Sequence, residues 1–198
     1  MLYLYAATII ILNGPSAAGK SSIQKELQKI MPQPYLALGI DNLFSALCPD
    51  EYTIGEKPQG FDQKLIRWVE VISQNGKPRI PLFIGPEGKK IIQGMIGAIK
   101  AYADAGNNLV IDYIQYDPAW TKQLKKTLKK HKVIWVKVDI PLETLEEREK
   151  ARGTSPVGHA RSHYHSVYQD INYSLSVNTK TMRPKDCARL IKTYGLGS

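Results

Sequence analysis

The sequence predicts an α/β fold with five parallel strands in one sheet and helices on both faces. Three observations lead there. Short β-branched apolar runs alternate with segments whose apolar residues recur at helical spacing, the order that right-handed strand–helix–strand crossovers need. The first apolar run leads straight into a glycine-containing loop that opens a helix. The 198 residues suit one domain, read as 1–198, long enough to bury a core without a metal or disulfide framework.

Taken in order, Ala7–Leu12 reads as a central strand buried on both faces. Asn13–Gly19 is a loop, and Ser21–Met31 puts Ile23, Leu27, Ile30 and Met31 on one helical stripe that Pro32 and Pro34 end. Tyr35–Ile40 is a second strand, followed by a short helix over Asn42–Cys48. Residues 49–86 are the least regular stretch, with a helix expected at Gln63–Ser73; a loop of that length points to function. Glu87–Asp104 is a long helix with Ile91, Ile92, Met95, Ile96 and Ile99 inward, capped by Gly106. Asn108–Asp112 is the third strand. Asp117 and Pro118 start a helix whose apolar stripe is Trp120, Leu124 and Leu128. Lys132–Asp139 is the fourth strand, Pro141–Arg152 a charged helix, and His159–Gln169 another helix after a loop. Tyr173–Val177 and Pro184–Tyr194 give the fifth strand and the closing helix.

Composition narrows the function classes. At 43% hydrophobic and 23% charged residues, the chain is neither disordered, collagen-like nor a coiled coil. The net charge of +9 suggests an anionic partner: a nucleotide, a nucleic acid or a membrane surface. Six lysines (Lys122, Lys125, Lys126, Lys129, Lys130 and Lys132) carry much of it, and without them the balance is +3. They read as a solvated helix face; a nucleic-acid contact is disfavoured because no aromatics interleave the charges. Cys48 and Cys187 stand far apart outside any metal or redox spacing, so free thiols in a cytoplasmic protein are expected. No apolar run has the length of a membrane span, and the apolar start reads as a strand rather than a leader.

Residues 14–21, Gly-Pro-Ser-Ala-Ala-Gly-Lys-Ser, match G-x-x-x-x-G-K-[ST] in full. Gly14 and Gly19 let the backbone turn around the phosphates over Pro15, which has no N–H, and through Ser16, Ala17, Ala18 and on to Ser22, whose N–H groups face phosphate oxygens. The helix that follows adds the positive end of its dipole. Lys20 reaches the β- and γ-phosphates, and the Ser21 hydroxyl can ligate Mg²⁺. No Asn-Lys-x-Asp guanine-reading sequence occurs, and the chain is too short for a typical motor domain. A small kinase remains.

The run Ile9–Ile30 resembles the start of the chloramphenicol phosphotransferase-like family of small kinases. The resemblance continues through Pro34–Leu43, Ile84–Glu87, Asn107–Asp112 and Val133–Gly153, and is weakest over 49–80. It implies a P-loop kinase fold, with a substrate-binding insertion at about 49–86 and a lid at about 148–165. The reaction it implies is ATP-dependent phosphorylation of a small molecule's hydroxyl. Asp41 matches the family's catalytic base. A carboxylate at the end of a parallel strand also faces the ligand crevice, or else it caps the helix at Asn42. Asp112 resembles the family's acidic position, holding Mg²⁺ through water or bonding the phosphate loop; Tyr113 stands where a second acid is often found. Arg148 and Arg152 match the arginines that cover the transferring phosphoryl group. Glu149 offers Arg152 a helical ion pair and Arg148 has no such carboxylate, which favours Arg148 for that role. The family's Asp-Arg pair is replaced by Thr154 and Ser155, and Arg161 is a candidate substitute. His159, His163 and His165 read as surface histidines.

Tyr52, Phe61, Trp68, Ile80, Leu82 and Phe83 either line an apolar acceptor cleft or pack under a loop. Chloramphenicol or a related antibiotic is one acceptor these residues would suit. The alternatives are a kinase for a nucleotide, sugar or sugar-nucleotide, and an inactive nucleotide-binding protein acting through its basic face.

Overall fold

The computed structural model describes residues 6–44, 46–48, 64–74 and 76–196. Its centre is a five-stranded, all-parallel sheet in the order β2-β7-β1-β8-β9. These strands are β1 (Thr8–Asn13), β2 (Tyr35–Gly39), β7 (Asn108–Tyr113), β8 (Lys132–Asp139) and β9 (Leu175–Asn178). The pleat sends alternate residues of β1 to opposite faces. Ile9 and Ile11 join the core under α2 (Ile40–Phe44), α3 (Pro86–Asp104) and α4 (Pro118–Thr127). Ile10 and Leu12 join the core under α1 (Lys20–Ile30) and α7 (Pro184–Leu196). Both faces are covered, as the unbroken β-branched run of β1 requires.

Ile92, Met95, Ile96 and Ile99 of α3 are buried as their spacing predicts, while Ile91 is only partly covered. On α4 the stripe of Trp120, Leu124 and Leu128 is buried, and Lys122, Lys126, Lys129, Lys130 and Lys132 are exposed. The helix ends at Thr127, so the last of those lysines lie in the turn and at the start of β8.

Two expectations fail. The helix predicted at Gln63–Ser73 is instead, over its described part, two short strands, β3 (Ile66–Trp68) and β4 (Val71–Ile72). Gln63 lies outside the described residues, as do Tyr52 and Phe61. β3 pairs antiparallel with β6 (Leu82–Ile84), and β4 with β5 (Pro78–Arg79). The stretch is rich in Ile, Val and Trp, and such residues take the pleated form once a partner strand is at hand. For β3 that partner lies beyond the β4–β5 hairpin and outside a local reading. Secondly, the helix predicted at His159–Gln169 stops at His163, as α6 (His159–His163), and continues as turns. The Ser166 hydroxyl bonds back to the His163 carbonyl, a side-chain contact that competes with helix propagation.

No helix among the described residues is long and apolar enough to cross a membrane.

Candidate active site

Sheet order brings the motif residues together. β1, β7 and β2 are neighbours, with Leu12 opposite Asp112 and Gly39 opposite Asp112 on the other side. The phosphate loop after β1, Asp112 at the end of β7 and Asp41 just after β2 therefore share one edge, where ligands bind in open parallel sheets. There a cavity of about 630 Å³ opens, walled by the loop from Ser16 to Ser22, Asp41, Asp112, Arg148, Arg152, Thr179 and Met182.

Gly19 has φ of 88°, left-handed backbone that favours glycine, and Ala17 is held at 61° despite its side chain. Gly14 stands behind the cavity wall for a different reason from the tight turn expected. A Cβ there would lie 2.6 Å from the Val138 carbonyl oxygen, so the loop's root can meet β8 only as glycine. Pro15, also behind the wall, accepts the Lys20 ammonium on its carbonyl at 2.7 Å. Lys20 is 4% exposed and its Nζ lies 3.3 Å from Asp112 Oδ1. Ser21 Oγ donates to Asp112 Oδ2 at 2.7 Å. The hydroxyl and carboxylate are thus adjacent hard oxygen donors, the type Mg²⁺ selects. Tyr113 turns the other way, fully buried, with its hydroxyl 2.9 Å from Thr121 Oγ1, and belongs to the core.

Asp41 does not precede its helix: α2 begins at Ile40, so the capping role is gone and the carboxylate sits in the first turn. The residue is exposed where it lines the cavity, with protein on its other sides displacing part of its water. The loss of surrounding water, with some help from the Asp112 charge, raises its carboxyl to about 6, against the pull of Lys20 and Arg152.

The two arginines of α5 (Leu142–Arg152) both line the cavity and have different partners. Arg148 donates to Thr179 Oγ1 at 3.2 Å and to the Thr179 carbonyl at 2.7 Å, on the β9 side of the cavity. Arg152 does not take up the ion pair with Glu149. Glu149 is 1% exposed and instead accepts the N–H groups of Gly158 and Ala160 at 2.8 and 2.7 Å. Arg152 donates to Thr154 Oγ1, and its charge acts on Asp41 and His159. Arg161 is no substitute lid cation, because it is paired with Glu146.

His165 is exposed as expected, but His159 and His163 are buried, 9% and 6% exposed. They pack with Tyr116, and His159 meets the Trp68 ring edge-on at 6.1 Å. Among the described residues no group of three or more His, Cys, Asp or Glu could hold a metal ion. Burial, followed by the charges of Lys20 and Arg152, lowers His159 to about 4, and burial also holds His163 well below its usual value. Between about 4 and 6.5 the unfolded chain then binds more protons than the folded one, so stability falls as pH drops through that window. Asp41 is shifted upward and offsets part of this below about 6. Urea midpoints measured from pH 7 to 4 are expected to fall, and to fall more steeply in an Asp41→Asn background.

Sequence reasoning missed Thr179, Met182, Glu149 and the two buried histidines. Thr179 directly follows a parallel strand, the same signal that marked Asp41. His159 and His163 stand four apart, one face of a helix.

Comparison with known proteins agrees with this geometry. Residues 7–194 match the family model "Chloramphenicol phosphotransferase-like protein". The chain is 25% identical over 182 residues to the Mycobacterium tuberculosis H37Rv protein named "Putative O-phosphotransferase Rv2636", covering 91% of this chain and 79% of that protein. Among solved structures, the Mycobacterium tuberculosis APS kinase CysC in complex with AMPPNP and APS superposes with a TM-score of 0.60 at 17% identity, over 96% of this chain and 98% of that one. A gluconokinase from Sinorhizobium meliloti 1021 gives 0.55 at 12% identity, over 97% and 93%. At those identities the likeness shows the fold, the P-loop kinase fold. With a family model spanning nearly its whole length, the chain belongs to the chloramphenicol phosphotransferase-like family of small-molecule kinases.

Proposed function

We propose that this chain transfers the γ-phosphoryl group of ATP to a hydroxyl of a small molecule, with Asp41 as the base. The observation that carries the reading is the convergence of Asp41, Lys20, Ser21 and Asp112 on one cavity edge from three strands. Asp41 accepts the acceptor's hydroxyl proton as the oxygen attacks, which needs the carboxylate ionised. Lys20 and the loop N–H groups hold the phosphates, and Arg152 stands over the transferring group where negative charge spreads. Arg148, fixed on Thr179, serves the nucleotide end of the cavity. Ser21 and Asp112 would hold Mg²⁺, whose charge neutralises the phosphate oxygens. The insertion at about 49–86, described over 64–74 and 76–86, serves the acceptor side and about 148–165 serves as the lid. Trp68 packs on Phe44 and meets His159, an aromatic cluster on that side of the molecule, and chloramphenicol or a related aromatic alcohol is the acceptor proposed.

The test is an ATP-consumption screen across hydroxylated antibiotics, nucleosides and sugars, with Asp41→Asn as control. Turnover on one class that the Asn variant lacks supports the reading; equal turnover by both proteins removes it. Lys20→Ala is expected to weaken MgATP binding by at least about tenfold by calorimetry, since it removes a buried cation from the phosphate site.

A further inference from the structure

One five-residue helix, α6, touches three parts of the candidate site. On one side His163 Nε2 accepts the backbone N–H of Ser16, in the phosphate loop, at 3.2 Å. Nε2 can accept only in the neutral imidazole, the state that burial enforces. On the other side the adjacent residue, Ser162, holds the 64–86 segment: its Oγ accepts the Ile80 N–H, and its carbonyl accepts the Arg79 guanidinium at 2.8 Å. At the helix start a Cβ on Gly158 would lie 2.3 Å from the Pro78 carbonyl oxygen, so β5 and α6 run in direct contact. The third tie is Glu149, whose carboxylate fixes Gly158 and Ala160 to α5, the helix that carries Arg148 and Arg152.

We propose that His163 is a positioning residue that sets the phosphate loop and, through the neighbouring Ser162, couples nucleotide binding to the placement of the 78–84 strands. The inference rests on the reading of residues 14–21 as the nucleotide site. Its physical basis is the economy of the linkage. Adjacent residues of one helical turn hold the two segments, so a shift of the loop carries the helix and the helix carries β5. Without the imidazole acceptor, the Ser16 amide is left buried and unpaired or pulls the loop into another shape. Nucleotide binding must then restore the ordered form at its own expense in affinity.

The experiment uses the full chain with MgATP alone as probe, so that no acceptor need be known. His163→Gln keeps an acceptor oxygen and His163→Leu keeps bulk without one. The Leu variant is expected to raise the MgATP Kd about five- to tenfold, the scale of one lost buried hydrogen bond, with Gln within about twofold of wild type. Hydrogen exchange supplies the second readout. In the wild type MgATP slows exchange at 78–84, and in the Leu variant that response is lost. Wild-type affinity in the Leu variant, or a Gln variant as weak as Leu, would overturn the proposal. If the Leu variant does not fold, Ser162→Ala decides: unchanged affinity with a lost response at 78–84 supports the coupling, and a full response refutes it. Lys20→Ala separates this result from the underlying one, because undiminished MgATP binding in that variant refutes the nucleotide site itself.

Discussion

Asp41→Asn is expected to lower kcat for phosphoryl transfer by about 10³-fold while MgATP affinity stays within about threefold, because a general base contributes about 10²–10⁴ and does not grip the nucleotide. Asn keeps the size and polarity of the side chain and cannot take the proton. The wild type should also show an acid limb in kcat/KM near pH 6, set by the raised Asp41 carboxyl, and the Asn variant should lack it. The same shift has a sign for stability. A carboxyl whose folded pKa exceeds its unfolded value near 3.8 stabilises the fold below that value, and this is lost as pH rises through about 6. At pH 7.5 the ionised Asp41 therefore weighs against the fold, and Asp41→Asn should melt at a higher temperature than the wild type. A variant that is both slower and more stable is the signature of a carboxylate kept for chemistry. Thermal melts alongside steady-state rates check both halves; an Asn variant that is slower only because it is less stable counts against the assignment.

Arg152→Ala is expected to reduce kcat by about 10²–10³-fold or more, the scale of a cation that stabilises charge on a transferring phosphoryl group. Arg148→Ala should instead act mainly on the KM for ATP. The two residues share a helix and a chemistry and differ in placement. Both terminal nitrogens of Arg148 are engaged with Thr179, whereas Arg152 donates to Thr154 and its charge is felt by Asp41 and His159. Arg152→Lys should not restore the rate, since a point charge does not reproduce the planar, multiply donating guanidinium. Steady-state kinetics with each substrate varied distinguish the two roles, and a kcat loss confined to the Arg148 variant would reverse the assignment.

The net charge of +9 takes on a more local meaning in this light. Lys20, Arg148 and Arg152 line the cavity, where a nucleotide's phosphates account for them. The lysines at 122–132, all but Lys125 exposed, lie on α4, in the turn after it and at the start of β8, outside that cavity.

Much of the fold and the core of the site was legible in the residues. The parallel sheet, its helices, the phosphate loop, Asp41 and Asp112 could be read because each signal is local. A β-branched run, a helical stripe, and a glycine-lysine-serine loop between them occupy contiguous residues, and backbone sterics with hydrophobic burial act on them where they stand. What only the tertiary structure decided depends on groups far apart in the chain. The 64–73 stretch became strand because residues 78–84 offered it partners. Glu149 turned from Arg152 to the amides of Gly158 and Ala160, so the helical ion pair that the spacing offered does not form. His163 became an acceptor for Ser16 across 147 residues. In each case the local sequence offered one partner or geometry and a group elsewhere in the chain supplied another, and for Glu149 and His163 that bond is buried, where it is stronger than in water.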